Sequence, residues 1–316
     1  MTTQKSSTST KVTQSENYRS GYLGLIGQPN AGKSSLLNFL ISEKVSIVTN
    51  KPQTTRRRVI GLHSTNEGQI VFIDAPGIVK STSGLNSFLQ KEAEEVIQSS
   101  DALVAVLSIE ENDAARNEEI IDMVVRSKKP WVGVITKTDI TEKYHRVLIL
   151  KDMIELRGAK ALTISNTKDS KDVCQNILSS MMQILPLAEN PLFDTELYTT
   201  ESMRNLAEEI IREKCFEILN FEIPYQLAVQ TRLFDEEAKP CPKLFIDILF
   251  AKDSHKPIVV GKGGTNIKKI GEESRAAIQK MMDVQKVYLE LNVVVKDNWY
   301  ENKTTMKELK YVTKSE

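Results

Sequence analysis

Gly27-Gln28-Pro29-Asn30-Ala31-Gly32-Lys33-Ser34 decides the fold of this chain, because the stretch satisfies the pattern G-x-x-x-x-G-K-[ST] at every fixed position. An apolar run at residues 22–26 precedes it, and a helical pattern with Leu36, Leu37 and Leu40 follows it. In such a setting, glycines let backbone N–H groups turn towards phosphates, and the start of the helix adds partial positive charge. The stretch therefore predicts a phosphate-binding loop; the alternative is a glycine-rich turn that binds nothing.

The side chains of this loop predict a nucleoside triphosphate bound together with magnesium. Lys33 supplies a point charge to the β- and γ-phosphates, and the Ser34 hydroxyl is a ligand for Mg²⁺. Backbone groups of the loop and of the residue after it surround the phosphates in this arrangement. The residues predicted to contact the nucleotide here are Gly27, Gln28, Pro29, Asn30, Ala31, Gly32, Lys33, Ser34 and Ser35.

A second motif, Asp74-Ala75-Pro76-Gly77, follows the apolar run at residues 69–74. Its carboxylate is suited to hold the Mg²⁺ shell through water, and the N–H of Gly77 is suited to reach the γ-phosphate. Alone, Asp-x-Pro-Gly is an ordinary turn. One strand away from a phosphate loop, it predicts a nucleotide site lined by Asp74, Ala75, Pro76 and Gly77.

A third motif, Thr136-Lys137-Thr138-Asp139, follows the apolar run at residues 131–136 and predicts recognition of guanine. A carboxylate at Asp139 accepts hydrogen bonds from N1–H and the 2-amino group of guanine, whereas adenine offers neither donor. Lys-x-Asp is common on protein surfaces, so the order of the three motifs along the chain carries this prediction. The residues predicted to contact the base are Thr136, Lys137 and Asp139, with Ser165 from a later loop.

These motifs lie in a region where apolar runs alternate with amphipathic helical segments. Apolar strands separated by helices predict an α/β domain with a mostly parallel sheet, in which ligands bind at the carboxyl ends of the strands. The runs read as strands are residues 22–26, 69–74, 102–109, 131–136 and 161–165, and two of the helical segments are residues 114–127 and 141–157.

The basic stretch Lys51-Pro52-Gln53-Thr54-Thr55-Arg56-Arg57-Arg58 lies between the phosphate loop and the second motif. One of its two threonines is expected to reach Mg²⁺ and the γ-phosphate; the sequence leaves Thr54 and Thr55 open, with Thr55 slightly favoured. The predicted metal ligands are therefore Ser34, Thr55 and Asp74. The arginines have two interpretations, a solvated basic loop or contacts to phosphate or RNA.

Together the three motifs make residues 20–188 resemble the translation-factor-like GTPases. The usual base-reading motif of those proteins is Asn-Lys-x-Asp, and Thr136 stands here in place of the asparagine. The later loop near Ser165-Asn166 also departs from their pattern. The resemblance implies reduced guanine affinity, because a hydroxyl cannot copy the hydrogen-bonding fork of an amide.

Ile78 stands where many such GTPases have a glutamine that orients the attacking water. The resemblance therefore implies water held by backbone groups and a potassium ion, coordinated by Asn30, that offsets charge between the phosphates. The alternative for Asn30 is that it merely tolerates a left-handed turn. Slow, potassium-stimulated GTP hydrolysis would then depend on Asn30, Lys33, Thr55 and Gly77.

The α/β pattern ends near residues 186–191, and a smaller α+β pattern follows. We place a nucleotide-binding domain at residues 20–188, a linker at 189–199 and a second domain at 200–300, with tails at 1–19 and 301–316. The second domain is predicted to contain a helix at 200–219, strands at 225–234, 244–250 and 287–295, and a helix that ends near 283.

Gly261-Lys262-Gly263-Gly264 fits the Gly-x-x-Gly loop of KH domains, which clamps the backbone of about four nucleotides. Lysines surround the loop and form a local basic patch in a chain whose net charge is zero. The alternative is a plain turn at the start of a helix. The residues predicted to contact RNA are Lys256, Gly261, Lys262, Gly263, Gly264, Lys268 and Lys269.

The whole layout, with a Pro-Gln-Thr-Thr-Arg stretch at residues 52–56, resembles the Era family over residues 20 to about 300. The resemblance implies a type II KH topology and GTP or GDP with Mg²⁺ as ligands. It also implies binding near the 3′ end of 16S ribosomal RNA and a role in assembly of the 30S subunit. The alternatives are an RNA-binding module with a degenerate nucleotide site and a GTPase that contacts a membrane surface.

The composition of the 316 residues agrees with a globular protein in a reducing compartment. The 42 basic and 42 acidic residues cancel, so bulk charge does not indicate an RNA partner. No apolar run approaches the roughly 20 residues needed to span a bilayer. Cys174, Cys215 and Cys241 are far apart and are expected to be buried thiols. A cytoplasmic monomer without a DNA partner is expected.

Overall fold

The structure, a computed structural model, describes residues 17–49, 51, 54–78, 84–111, 114–165, 171–297, 299–301 and 303–309. The predictions made for residues 1–16 and 310–316 of the two tails, and for Pro52, Gln53 and Asn166, concern positions outside these residues.

The described residues of the first unit form a six-stranded sheet in the order β2-β3-β1-β4-β5-β6. Strand β2 runs antiparallel to β3, and the other neighbouring strands are parallel. The mostly parallel sheet predicted from the alternating pattern is therefore present. The strands are β1 (Arg19–Gly27), β2 (Val59–Ser64), β3 (Gly68–Asp74), β4 (Ala102–Ser108), β5 (Trp131–Thr136) and β6 (Lys160–Thr163).

Helices cover both faces of this sheet because the side chains of each strand alternate between the two faces. On one face, the core around Leu23, Leu25 and Val104 packs against α1 (Lys33–Ile41) and α5 (Lys171–Gln183). On the other face, the core contains Ile26, Leu103 and Leu107. The helices that pack there are α2 (Gly84–Ser99), α3 (Ala114–Arg126) and α4 (His145–Glu155).

Two elements of this unit differ from the sequence-based expectation. Strand β2 was not predicted, and it extends the sheet by pairing antiparallel with β3. The helix predicted at residues 141–157 is divided into a 3₁₀ turn, Thr141–Lys143, and α4. Strand β2 forms by pairing with β3, and a 3₁₀ turn at the start of an α-helix is common.

The described residues of the second unit form a three-stranded sheet in the order β7-β8-β9, with β7 antiparallel and β9 parallel to β8. The helix–strand–strand–helix–strand order predicted from the sequence is present. Three helices share one core with this sheet, and that core includes Ile211, Ile246 and Ile270. The elements are α6 (Met203–Ile218), β7 (Leu227–Asp235), β8 (Lys243–Phe250), α7 (Lys256–Val260), α8 (Thr265–Met282) and β9 (Tyr288–Val295).

A short helix follows the sheet inside the segment that we assigned to a tail. In this helix, α9 (Lys303–Glu308), Met306 packs with Trp299 and with Ala228 and Leu249 of the sheet. The indole N–H of Trp299 donates to the Gln226 carbonyl at 2.9 Å, so the aromatic side chain is buried without an orphaned donor. None of the described helices combines the length and apolar content needed to cross a bilayer.

Candidate nucleotide site, RNA loop and the contacts between them

The phosphate loop connects the carboxyl end of β1 to the first turn of α1. Gly32 has a φ of 91° immediately before Lys33, a conformation that favours glycine. The Lys33 ammonium donates to the carbonyls of Gly27 and Gln28 at 3.1 and 3.0 Å, and thus closes the loop on itself. Burial lowers the pKa of Lys33 to about 8, against the opposing effect of Asp74. A phosphate group in the loop would supply further negative charge to this buried ammonium.

Three oxygen-bearing side chains that were predicted as metal ligands meet at the start of α1. The Ser34 hydroxyl oxygen lies 2.5 Å from Asp74 Oδ2 and 2.8 Å from Thr55 Oγ1. The hydroxyl of Ser46, which the sequence did not single out, donates to the same Asp74 oxygen at 3.0 Å. Thr54 instead donates to the Lys51 carbonyl at 2.8 Å. The geometry thus favours Thr55 over Thr54 as the third ligand.

The surroundings of Asp74 are those expected of a carboxylate that binds a cation. Burial raises its pKa, while Lys33, Ser34 and Ser46 act to lower it. Its Oδ1 atom is buried and has no hydrogen-bond partner among the described residues. A buried carboxylate oxygen without a donor is costly, and a hydrated Mg²⁺ ion would satisfy it. The residues present at this position therefore fit a magnesium ion.

An open cavity of about 300 Å³ lies over this group of oxygens. Gly77 lies at its edge, where a Cβ atom would come within 2.6 Å of the Pro29 backbone. Ala75 and Pro76, also predicted to contact the nucleotide, are buried and are not among the residues that line the cavity. The cavity is lined by Pro29, Asn30, Gly32, Lys33, Ser34, Ser35, Ile47, Val48, Thr49, Thr54, Thr55, Gly77, Glu110 and Lys137.

Asn30, predicted to coordinate potassium, is exposed at the rim of this cavity and has a φ of 61°. That left-handed conformation accounts for an asparagine at this position without any cation. It also leaves the side chain on the cavity side, so both interpretations of Asn30 remain compatible with its position.

The predicted base-binding residues converge beside the phosphate loop. The Thr136 hydroxyl donates to the Ala31 carbonyl at 2.7 Å and so ties strand β5 to the loop. The Ser165 hydroxyl donates to Asp139 Oδ1 at 3.0 Å and orients that carboxylate. Lys137 has a φ of 60° and forms an ion pair with Glu110 across the cavity. The single hydroxyl of Thr136 thus makes a direct bond to the loop.

Two of the three arginines of the basic stretch, Arg56 and Arg57, match neither interpretation drawn from the sequence. Arg56 is only 1% exposed, and its guanidinium donates to the carbonyls of Leu227, Pro224 and Tyr225 in the second unit. Arg57 donates to the Asn205 carbonyl at 2.9 Å, at the start of α6. Both are therefore structural contacts between the units. The sequence could not show this, because their partners lie about 150 to 170 positions further along the chain.

The predicted RNA loop lies between α7 and α8. Gly261, Gly263 and Gly264 have φ values of 76°, 62° and 79°, so all three adopt a conformation that favours glycine. A Cβ atom on Gly261 would come within 2.9 Å of the Asn266 backbone nitrogen, whereas Gly263 faces open space.

Exposed lysines surround this loop, in line with the predicted basic patch. Two of them are paired along α8: Lys268 lies 3.9 Å from Glu272, and Lys269 lies 3.8 Å from Glu273. Such exposed pairs are weak and leave the ammonium groups available to other anions. The exposed lysines are Lys252, Lys256, Lys262, Lys268 and Lys269.

Two family models match this chain. Residues 22–137 match the model described as 50S ribosome-binding GTPase, and residues 222–300 match the KH domain model. GTPase Era of Geobacter metallireducens is 36% identical over 299 residues, which cover 93% of this chain and 98% of that protein. This chain belongs to the Era family of GTPases. GTPase Era of Nitratidesulfovibrio vulgaris is 35% identical over 300 residues, covering 92% of this chain and 96% of that protein.

Solved Era structures resemble the whole described fold. An Aquifex aeolicus Era variant bound to GDP·AlF4⁻ superposes with a TM-score of 0.86, at 30% identity, and covers 93% of this chain and 100% of that one. Era in complex with MgGDPNP and nucleotides 1506–1542 of 16S ribosomal RNA has a TM-score of 0.85, at 31% identity, and covers 94% of this chain and 100% of that one. The predicted fold class, a GTPase domain followed by a KH domain, is confirmed.

Proposed function

We propose that this Era-family GTPase binds GTP and GDP with Mg²⁺, binds 16S ribosomal RNA near its 3′ end, and assists assembly of the 30S subunit. The observation that carries the proposal is the meeting of Ser34, Thr55 and Asp74 beside the phosphate loop. A similar Era binds MgGDPNP and a 16S segment at once, which supports assigning both ligands to this chain. The GTPase domain is taken as residues 20–188 and the KH domain as residues 200–300.

In the proposed nucleotide complex, the phosphate loop holds the phosphates and Ser34 and Thr55 hold the metal. Asp74 would help to hold the metal, and the N–H of Gly77 would be offered to the γ-phosphate. Asp139, oriented by Ser165, accepts from guanine, and the stem of Lys137 borders the base pocket. Bound magnesium offsets the charge that develops on the phosphate oxygens.

The RNA-binding half of the proposal rests on the glycine loop and its lysines. Gly261, Gly263 and Gly264 let the sugar–phosphate backbone approach closely, since they present no side chain. Lys256, Lys262, Lys268 and Lys269 supply the positive charge that phosphates require. A ribosomal RNA partner in turn supports a cytoplasmic location, and we propose that the chain acts as a monomer.

The competing function is an RNA-binding module with a degenerate nucleotide site, as Thr136 and Asn166 suggested. The bond from Thr136 to the Ala31 carbonyl weakens that alternative, because the loop is tied to the base pocket without an asparagine. Contact with a membrane surface was the other alternative, and no basic amphipathic segment stands out enough in the sequence to favour it.

The proposal is tested by measuring RNA affinity in two nucleotide states. The full chain would be titrated with a labelled RNA of the 16S 3′ end in the presence of Mg·GDPNP or Mg·GDP, with a scrambled RNA as control. We expect tighter binding of the 16S sequence in the GDPNP state. Equal binding of the 16S and scrambled RNAs would contradict the RNA assignment. If neither GDPNP nor GDP binds to the chain, the degenerate nucleotide site is supported instead.

The potassium hypothesis for Asn30 needs its own measurement. Ile78 has no group that can orient water, so we propose that a monovalent cation near Asn30 compensates charge during hydrolysis. GTP turnover should be slow and should be faster in K⁺ than in Na⁺ at equal ionic strength, with Asn30→Ala removing the difference. Equal rates in the two salts would contradict the hypothesis and would leave the left-handed turn as the reason for Asn30.

A further inference from the structure

The backbone on the N-terminal side of Thr55 is held by a side chain of the second unit. The guanidinium of Arg212, on α6, donates to the carbonyl of Thr54. That carbonyl and the N–H of Thr55 belong to one planar peptide unit, so an anchor on the oxygen also fixes the orientation of the N–H. Arg212 thus restrains the backbone of Thr55, whose hydroxyl oxygen lies 2.8 Å from the Ser34 hydroxyl oxygen.

Arg212 is itself held rigidly. Its guanidinium makes two hydrogen bonds to the carboxylate of Glu209, one turn earlier on α6, and its side chain is only 1% exposed. The Arg212 guanidinium carbon also lies 5.8 Å from the centre of the Phe216 ring. A bidentate ion pair of this kind fixes the direction of the remaining N–H donors of the guanidinium, and one of these donates to the Thr54 carbonyl.

The backbone on the C-terminal side of Thr55 has a second anchor. Arg56 reaches three carbonyls of the segment that follows α6, those of Pro224, Tyr225 and Leu227. Thr55 therefore lies between two neighbours that are each bound to the second unit. Further contacts hold the residues before them: Glu213 of α6 accepts from Lys44 at 2.5 Å and from the Val48 N–H at 3.2 Å.

We infer that Arg212, oriented by Glu209, is a positioning residue that holds Thr55 at the metal, so that α6 of the RNA-binding half completes the nucleotide site. The inference rests on the proposed function, in which Thr55 is a ligand of the magnesium ion of bound GTP. The GTPase domain supplies the Thr55 hydroxyl, and the second unit fixes the position of the Thr55 backbone. GDP, which has no γ-phosphate for Thr55 to reach, should depend on Arg212 far less than GTP does.

The test compares two nucleotides in full-length variants. Arg212→Gln removes the charge and shortens the reach to Thr54, and Arg204→Gln makes the same change at an exposed position of α6 as a matched control. We expect Arg212→Gln to weaken Mg·GDPNP binding at least tenfold and to leave Mg·GDP within twofold. Arg204→Gln should change neither, and Arg212→Lys should recover part of the loss.

A double-mutant cycle separates positioning from a general loss of structure. If Arg212 acts through Thr55, Thr55→Ala should reproduce the GDPNP defect, and the double variant should bind GDPNP within twofold of the weaker single variant. Losses that multiply in the double variant would overturn the inference. So would equal losses for GDP and GDPNP, or an unchanged GDPNP affinity in Arg212→Gln.

The two hypotheses fail in different ways. If Thr55→Ala binds and hydrolyses GTP normally, the proposed metal role of Thr55 fails, and the inference fails with it. If Thr55→Ala is defective and Arg212→Gln is not, only the inference fails. Should Arg212→Gln not fold, the cycle is run with Arg212→Lys. The inference is then supported if Arg212→Lys weakens GDPNP binding more than twofold beyond its effect on GDP binding. A difference of twofold or less between the two nucleotides overturns it.

Discussion

Thr136 shows how a single hydroxyl supports the nucleotide site. It is 2% exposed and donates to the Ala31 carbonyl inside the phosphate loop, where an asparagine is usual in related GTPases. The expectation of reduced guanine affinity considered only what a hydroxyl lacks compared with an amide. The structure shows that the Thr136 hydroxyl still makes a hydrogen bond to the phosphate loop.

Replacement of this hydroxyl should weaken nucleotide binding. Thr136→Val keeps the shape of the side chain and leaves the Ala31 carbonyl without its donor, at a cost of about 1–2 kcal/mol, or roughly 5- to 30-fold in GTP affinity. Thr136→Ser keeps the hydroxyl and should bind nearly as the parent does. Titration with a fluorescent GTP analogue measures both, and equal affinities of the two variants would contradict this role.

We predict that Asp139 selects the base in the proposed nucleotide complex. Its carboxylate receives a hydrogen bond from Ser165 at 3.0 Å, which orients it. Asp139→Asn exchanges an acceptor for a donor and should shift preference from GTP towards XTP, because xanthine carries an oxygen where guanine carries the 2-amino group. The ratio of the two affinities is the measurement, with Asp152→Asn on the exposed face of α4 as control. An unchanged ratio would remove Asp139 from base recognition.

At the level of elements, the loop between α7 and α8 has the clearest link from conformation to function. Helix α8 begins directly after Gly264, so its first N–H groups lie at the loop, where a phosphate would bind. Gly261 is the most restricted position of the loop, since a Cβ atom would lie 2.8 Å from the Thr265 hydroxyl.

Gly261→Asp should therefore impair RNA binding specifically. The substitution forces a side chain into a backbone conformation, φ 76° and ψ 166°, that is essentially confined to glycine, which costs about 1–3 kcal/mol, and it places a negative charge where phosphates would bind. RNA affinity should fall at least roughly tenfold, the effect of about 1.4 kcal/mol. GTP hydrolysis without RNA should be unchanged.

The control is Gly158→Asp, which adds the same side chain at a φ of 77° in open space in the GTPase domain. A filter-binding assay with the 16S segment compares the two variants. Equal RNA affinities of the two variants would contradict the assignment of residues 261–264 as the RNA-binding loop.

At the scale of the whole molecule, the two domains are joined by buried charge. Glu209 is 8% exposed and lies among Arg212, Arg57 and Arg56. Burial acts to raise the pKa of Glu209, but the arginines outweigh it, and the net pKa is lowered. The ionised carboxylate is thus more stable in the folded protein than in the unfolded chain.

This predicts a pH-dependent contribution to stability. The contribution of Glu209 is fully present above the pKa that it has in the unfolded chain, about 4.3, and is lost as pH falls towards its lower folded pKa. Glu209→Gln should lower the free energy of unfolding by about 2–4 kcal/mol at pH 7, because it leaves buried guanidinium groups without their counter-charge.

Urea unfolding at pH 7, 5 and 4 provides the measurement. The difference between parent and Glu209→Gln should be similar at the two higher values and smaller at pH 4. Glu217→Gln, at an exposed carboxylate that pairs with the partly buried Lys214 on the same helix, should have an effect below about 1 kcal/mol at every pH. A Glu209 effect that does not change with pH would contradict the lowered pKa.

Much of the fold could be predicted because its signals are local. Strand β5, Trp131–Thr136, coincides with the run read from the sequence, and the phosphate loop lies between β1 and α1 as its motif requires. Strand β2 was missed because it lies at an edge of the sheet and directly follows the basic stretch. Helix α9 was missed because its apolar residues are too few to show a periodic pattern, and Met306 is buried against residues of distant elements, among them Ala228 and Leu249.

The sequence by itself determined the two-part architecture, the phosphate loop, the guanine motif and the glycine loop, because each depends on residue types at fixed local spacing. Only the tertiary structure decided that Thr55 rather than Thr54 faces Ser34, and that Arg56, Arg57 and Arg212 are buried between the domains. The physical reason is that the burial of a charge depends on the carboxylates and carbonyls that surround it. Here those partners lie mostly in the other domain, far away in the chain, and no local pattern records them.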